Sequence, residues 1–225
     1  MQKVTVLVPM KGHSERVPNK NMKPFHGRPL YHYIVETALS CPYVEKVAIN
    51  TDGEALKADI QKHFPDVLII DRPKEIQGDF VSMNKIIAYD LSVLEGEYFL
   101  QTHSTNPLLS TTTMSRAIEV YFENMDKHDS LFSVTRLQTR LYWGDGRPIN
   151  HNPEELLRTQ DLPPVYEENS NFYIFSKRSF QEAGNNRIGK KPLLFEVDKL
   201  EAIDIDEPQD FLLAETLYTV LRKDR

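Results

Sequence analysis

Residues 9–24, P-M-K-G-H-S-E-R-V-P-N-K-N-M-K-P, carry the side chains best placed to do chemistry. Lys11, Arg16, Lys20 and Lys23 are interleaved with Gly12, Ser14 and Asn21 in a loop that follows a short apolar run at 4–8. A strand that opens into such a loop before a helix lets backbone N–H groups and cations converge on one anion. The chain as a whole is acidic, with a formal net charge of −6. Local positive charge on a negative protein points to a small polyanion such as a nucleoside triphosphate. It excludes the broad basic face that nucleic acid requires.

Near the other end, Asp204 and Asp206 flank Ile205 at the end of an apolar run. On a strand, residues i and i+2 share a face, so both carboxylates can address one cation. Hard oxygen ligands in this small number suit Mg²⁺, which keeps water and phosphate oxygens for its remaining positions. Asp206-Glu207-Pro208-Gln209 also reads as a helix N-terminus with Asp206 as cap, so a capping role stays open beside the metal role.

The elements that must position these groups alternate for the first 135 residues. Apolar runs predict strands at 4–8, 44–51, 67–71, 98–101 and 131–134. Helical spacing predicts helices starting at Pro29 and over 54–64, 82–94 and about 110–125. This rhythm implies an α/β, three-layer α/β/α domain with a mostly parallel sheet. It breaks at 135–171, a polar and aromatic stretch with four prolines and a Gly144-Asp145-Gly146 turn that suggests a hairpin. Such an insert reads as an arm over the substrate site, as a subunit contact, or as a mobile surface loop. Strands follow at 172–175, 193–197 and 202–205, with helices near 177–183 and over 207–222. The whole of 1–225 reads as one domain.

Composition narrows the class. With 225 residues, 40% hydrophobic and 27% charged, the chain fits a soluble globular protein with a full core. One cysteine, Cys41, allows no intrachain disulfide and suits a reducing cytosol. No apolar run is long enough for a signal peptide or a membrane span. A cytoplasmic protein without nucleic-acid or membrane partners is expected.

The loop, with its Pro9, Gly12, Ser14, Pro18, Lys20, Asn21 and Lys23-Pro24, resembles the opening motif of the acylneuraminate cytidylyltransferase family, P-A-R-x-G-S-K-x-[IV]-P-x-K-N. The resemblance continues through Gly27-Arg28-Pro29-Leu30, Thr51-Asp52, Arg72-Pro73 with Asp79 and Ser82, the segment Gln101 to Leu108, and Asp204-Ile205-Asp206. These landmarks span residues 3–214 in the family's order. The sequence departs from the motif at Met10 and Lys11, where the family has Ala-Arg, at Glu15-Arg16, and at His103 and Asn106. These departures leave the base and the sugar open.

The resemblance implies a Rossmann-like nucleotide-diphospho-sugar transferase fold with an inserted arm. It implies attack of a sugar hydroxyl on the α-phosphate of CTP, giving a CMP-sugar and pyrophosphate, with Mg²⁺ as cofactor and a homodimer as the assembly. It places Lys20 on the α-phosphate, Lys11, Ser14 and the amides from Gly12 on the β- and γ-phosphates, and Met10, Asn21, Arg72 and Ser82 on the nucleotide. It places Glu168 and Tyr173 on the substrate side and Asp204 and Asp206 on the metal. Gln101, Thr102 and Ser104, just past the fourth strand at the carboxyl-end crevice, are expected on the acceptor, and Arg136 or Arg140, at the mouth of the insert, as the cation for an acidic sugar. Tyr142, Trp143 and Tyr166 are expected to pack in the arm or a dimer contact. Three other readings remain: a sugar-1-phosphate nucleotidyltransferase using another base, a glycosyltransferase with Asp204-Ile205-Asp206 as its metal motif, and a silent nucleotide-binding protein.

Overall fold

A computed structural model of the chain describes residues 2–14 and 17–223. Arg16, counted above among the loop cations, and Glu15 lie outside the described residues. The first strand, β1 (Val4–Leu7), leads into the lysine-rich loop, which ends in a single 3₁₀ turn at Lys20–Met22. A two-stranded ribbon follows, β2 (Pro24–Phe25) and β3 (Arg28–Pro29). His26 and Gly27 join them with φ of 45° and 84°. Two successive positive φ values make the mirror-image turn that a tight hairpin needs, and glycine supplies one without strain. Pro29 therefore belongs to the ribbon, not to the start of the helix expected there, and α1 runs Tyr31–Leu39.

Next come β4 (Val44–Thr51), α2 (Glu54–His63), β5 (Leu68–Asp71), α3 (Met83–Val93), β6 (Tyr98–Thr102) and α4 (Thr111–Glu123). The chain continues with β7 (Ser130–Leu137), β8 (Val165–Ser176), α5 (Lys177–Glu182), β9 (Pro192–Glu196) and α6 (Pro208–Lys223). Seven strands form one sheet in the order β5-β4-β1-β6-β8-β7-β9. The first four are parallel, β8 runs antiparallel to both its neighbours, and β9 is parallel to β7.

Alternation along the strands decides which helix covers which face. Val4 and Val6 of β1, with Val47 and Ile49 of β4, pack with α1, α2 and α4. Leu7, Ala48 and Phe99 point the other way and pack with Ile87 and Leu91 of α3 and Phe180 of α5. Each fully buried aliphatic side chain contributes about 1.5–3 kcal/mol. A one-residue slip would turn a strand's whole apolar set to the wrong face, so the register is tightly held. α6 instead closes over the ribbon, where Phe211 and Ala214 meet Phe25, Leu30 and Ile205.

Two sequence expectations change. No strand forms at 202–205. That segment crosses beyond the strand ends and makes a single backbone bond to the loop after β6, Ile205 N donating to Thr105 O at 3.0 Å. The insert is also shorter than expected, because β7 and β8 pair out to Leu137 and Val165. The remaining arm, 138–164, has the expected turn, with Trp143 N donating to Arg147 O at 2.8 Å and one bridge between Tyr142 and Pro148. Asn150 anchors its base by accepting from Leu141 N and donating to Thr139 O and Pro163 O.

Candidate active site

Beyond Leu7 the chain keeps following β4. Val8 N donates to Ala48 O and Met10 N to Asn50 O, both at 2.9 Å. The loop then turns against the start of α2 so closely that a Cβ on Gly12 would lie 2.6 Å from Gly53 Cα. Only glycine fits at this approach. The Gly12 amide donates to Asp52 Oδ1 at 2.7 Å, which engages a group expected to face phosphate. Asn21, buried, donates to Lys11 O at 3.0 Å and accepts from Ser104 Oγ at 2.6 Å. It thereby laces the lysine loop to the loop after β6. Both loops leave the carboxyl ends of adjacent parallel strands, β1 and β6, where open α/β sheets place their ligands.

A cleft of about 530 Å³ lies there. Its walls include Met10, Lys11, Ser14, Lys20, Asn21, Ser104, Asp204 and Asp206 from among the expected residues. Lys20 is held rather than loose. Its side chain is 13% exposed, and its Nζ donates to Ile205 O at 2.5 Å and sits 3.5 Å from Asp206 Oδ1. Lys11 is half-exposed and pairs with Asp79 at 2.7 Å across the mouth. Lys23 has turned away and lies 4.0 Å over the Phe211 ring.

Asp204 lies against Thr105, and its buried Oδ1 has no hydrogen-bond partner. Burial first, and then the neighbouring Asp206 carboxylate, push the Asp204 carboxyl above its usual range, against the pull of Thr105 and Lys20. An orphaned buried carboxylate oxygen beside a second carboxylate fits a hard divalent cation. The capping role that the sequence left open for Asp206 falls one residue later, since α6 begins at Pro208. The carboxylate of Asp210 accepts from Asp206 N at 3.1 Å and Glu207 N at 2.7 Å.

Arg72 is neither solvated nor at the cleft wall. It is buried, with Nε donating to Asn50 Oδ1 at 2.6 Å and its terminal nitrogen donating to Met10 O and Asn50 O. Asn50 in turn donates to Asp90 Oδ1 at 2.5 Å. Burial pushes the Asp90 carboxyl up to about 7, despite the Asn50 bond and the Arg72 charge. This network braces the loop at Met10 from behind. Ser82 is exposed at the start of α3, and the neighbouring Met83 lines the cleft instead. Arg140 lies in the arm and donates to Leu157 O.

Arg187 is the residue sequence reasoning missed. It follows α5, lines the cleft, stacks 3.6 Å over the Tyr173 ring and donates to Gln101 Oε1. The buried Gln101 amide donates to Thr102 O at 2.9 Å and to His103 Nε2 at 3.2 Å. Tyr173, held at about 12 chiefly by burial, donates to Glu168. Thr102 donates to Asn171 O at 2.7 Å and is buried behind the wall. Burial foremost, then the Arg187 charge, brings the His103 imidazole down to about 4, so it is neutral at pH 7. The sequence signal for Arg187 is slight: an arginine between Asn185-Asn186 and Ile188-Gly189 with no motif around it.

The cleft thus gathers two lysines, three carboxylates (Asp79, Asp204 and Asp206) and a half-buried arginine, Arg187, that contacts Gln101 and Tyr173. Residues 5–219 match the model of the family described as Cytidylyltransferase. The chain belongs to this family. It is 26% identical over 228 residues to an N-acylneuraminate cytidylyltransferase of Escherichia coli O18:K1:H7, covering 96% of this chain and 52% of that one. The chain therefore spans about half the length of that relative. A pseudaminic acid cytidylyltransferase of Campylobacter jejuni is also 26% identical, with 95% of both chains covered. Among solved structures, CMP:2-keto-3-deoxy-manno-octonic acid synthetase complexed with CTP has a TM-score of 0.71 at 12% identity, covering 97% of this chain and 99% of that one. That likeness establishes the shared Rossmann-like cytidylyltransferase fold. The chemistry that the family's description names is cytidylyl transfer.

Proposed function

We propose that this cytidylyltransferase activates a 2-keto-3-deoxy sugar acid of the sialic-acid type, with Mg²⁺ as its cofactor. The observation that supports the reading is a single cleft lined by two lysines, Lys11 and Lys20, by the carboxylates of Asp204 and Asp206, and by Arg187. In the reaction a sugar hydroxyl oxygen bonds to the α-phosphorus, the bond to the β-phosphate oxygen breaks, and pyrophosphate leaves. The obstacle is charge, because the attacking oxygen meets a phosphorus already ringed by negative oxygens. Positioning and charge neutralisation supply most of the rate.

Lys20 is preset for the α-phosphate, held against Ile205 O. Lys11 takes the β- and γ-phosphates by exchanging Asp79 for them. Asp204 and Asp206 are the carboxylates that would hold Mg²⁺, which when bound supplies positive charge to the phosphates and orients them. On the acceptor side, Arg187 offers a planar fork to the sugar carboxylate, while Arg140 lies in the arm and donates to Leu157 O. Gln101 and Tyr173 fix the fork's orientation. The exposed Tyr142, Trp143 and Ile149 of the arm support a homodimer contact, and the buried free Cys41 suits the cytoplasm.

The test is pyrophosphate release with Mg²⁺, with CTP, GTP, UTP and ATP each offered 2-keto sugar acids and sugar-1-phosphates. Release confined to CTP with a 2-keto sugar acid supports the proposal. Release with CTP but only with sugar phosphates overturns the acceptor, and release only with another nucleotide overturns the donor as well.

A further inference from the structure

Away from the cleft, one group of three metal-ligating side chains converges among the described residues: His32, Asp59 and His63. His32 stands at the start of α1. Asp59 and His63 are i and i+4 on α2, which puts them on one helix face. His32 Nε2 lies 2.7 Å from Asp59 Oδ2, and His63 Nδ1 lies 3.2 Å from Asp59 Oδ1. One ligand atom from each of the three falls within 4.8 Å of the others. None of the three lines the cleft.

We propose that His32, Asp59 and His63 form a second metal site, selective for a zinc-class transition ion, that ties α1 to α2. Two imidazoles and one carboxylate are a donor set that zinc accepts and that Mg²⁺ and Ca²⁺ do not prefer. Bonds of about 2.0–2.1 Å in tetrahedral geometry put ligand atoms roughly 3.3 Å apart. Each imidazole is already at or inside that spacing from one oxygen of the Asp59 carboxylate, His32 from Oδ2 and His63 from Oδ1. No separation exceeds 4.8 Å, so the set has at most about 1.5 Å to close.

The surroundings support the set. Exposure rises from 8% at the His32 side chain to 16% at Asp59 and 40% at His63, so ion and water reach the site from the His63 side. Tyr31 Oη donates to Asp59 Oδ2 at 2.5 Å and orients the carboxylate, as an outer partner of a metal ligand does. The Phe64 ring stands 4.8 Å from the His32 ring, edge to face, and packs against the imidazole. The ion replaces the hydrogen bond from His32 Nε2 to the Asp59 carboxylate and the one from His63 Nδ1 to the backbone Asp59 O at 3.0 Å, and each imidazole then carries its proton on the nitrogen away from the metal.

The experiment uses the full chain, stripped with a chelator, mixed with one equivalent of Zn²⁺ in excess Mg²⁺ and dialysed. Bound zinc is read by elemental analysis, and Co²⁺ substitution gives the coordination from its visible absorption. The parent is expected to retain one equivalent with a tetrahedral Co²⁺ spectrum. His63→Ala, whose half-exposed side chain the fold does not need, is expected to retain under a tenth of that. Tyr31→Phe is expected to bind about tenfold more weakly, and Asp204→Asn to bind as the parent does. Absence of bound zinc in the parent overturns the proposal. So does retention by His63→Ala, or loss of the metal in Asp204→Asn.

Discussion

Replacing Lys20 by methionine keeps most of the buried stem and removes the charge. The structure separates what this costs the fold from what it costs the reaction. The fold loses one charge-assisted hydrogen bond, from Nζ to Ile205 O at 2.5 Å, typically about 1.5–3 kcal/mol. The ion pair with Asp206 is long, at 3.5 Å, and Asp206 is half-exposed, so it adds no more than about 1 kcal/mol. Methionine recovers part of this by packing where an ammonium had been desolvated. A net loss of about 1–2 kcal/mol lowers the melting temperature by roughly 2–8 °C in a chain of this size. The reaction loses a preset cation at the phosphate where charge develops, which in comparable sites costs about 10²–10³ in kcat. Pyrophosphate release under saturating CTP, with a melt and a CTP titration on the same sample, reads all three. The expected pattern is a folded variant with kcat down at least a hundredfold and CTP affinity reduced far less. A kcat within tenfold of the parent refutes the placement of Lys20 on the reacting phosphate. A fall in affinity that accounts for the whole loss would make it a ground-state contact instead.

Asp204→Asn is expected to lose Mg²⁺-dependent turnover by more than about a hundredfold while melting no lower than the parent at neutral pH. Burial and Asp206 raise the Asp204 carboxyl, so its ionised form is penalised in the fold and the neutral amide relieves the penalty; parent-like turnover across a Mg²⁺ titration would contradict this. Asp90, raised from 3.8 to about 7, holds its proton in the fold more tightly than in the unfolded chain. Its contribution is complete below the unfolded value and is lost as pH rises through the folded one. Thermal melts of the parent should fall between about pH 4 and pH 7 relative to those of Asp90→Asn, and identical slopes would refute the assignment. His103→Gln should cost less than about tenfold in kcat, because a base near 4 gives little proton-transfer driving force, and its Nε2 lone pair already accepts from Gln101. A loss of a thousandfold would instead make His103 the general base.

The parallel half of the sheet was legible because β1, β6 and the second half of β4 are buried on both faces and its helices carry stripes. The runs at 44–51 and 98–101 needed no tertiary information. The start of β8 was not legible. Glu167, Glu168, Asn169 and Ser170 show no apolar alternation because that end of the strand lies outside the core, and only the pairing with Val134 to Leu137 makes it a strand. The stretch at 202–205 misled in the opposite sense. Ala202, Ile203 and Ile205 are apolar because they pack under α6 and against the sheet's helical layer, with no ladder partner. Arg72 shows what a single sequence hides. Its place behind Met10 depends on Asn50 and Asp90, which sit on two other elements. Arg187 was hidden for the same reason, since Tyr173 and Gln101 that hold it are distant in the chain.

The two loop lysines differ in a way that bears on the order of events in the proposed reaction. Lys11 meets Asp79 where both side chains are about half in solvent, at 41% and 53% exposure. Such a pair contributes about 0–1 kcal/mol and is screened by salt. A triphosphate carrying several negative oxygens displaces Asp79 at little cost, so Lys11 can move to its ligand. Lys20 gains nothing from moving. It is largely buried, its Nζ is fixed on a backbone carbonyl, and that carbonyl belongs to the segment holding both Asp204 and Asp206. The same residues that fix Lys20 therefore fix the distance between the cation and the proposed metal carboxylates before nucleotide arrives. Capture belongs to the exposed, exchangeable lysine, and stabilisation of the reacting phosphate belongs to the one whose reorganisation was completed when the chain folded.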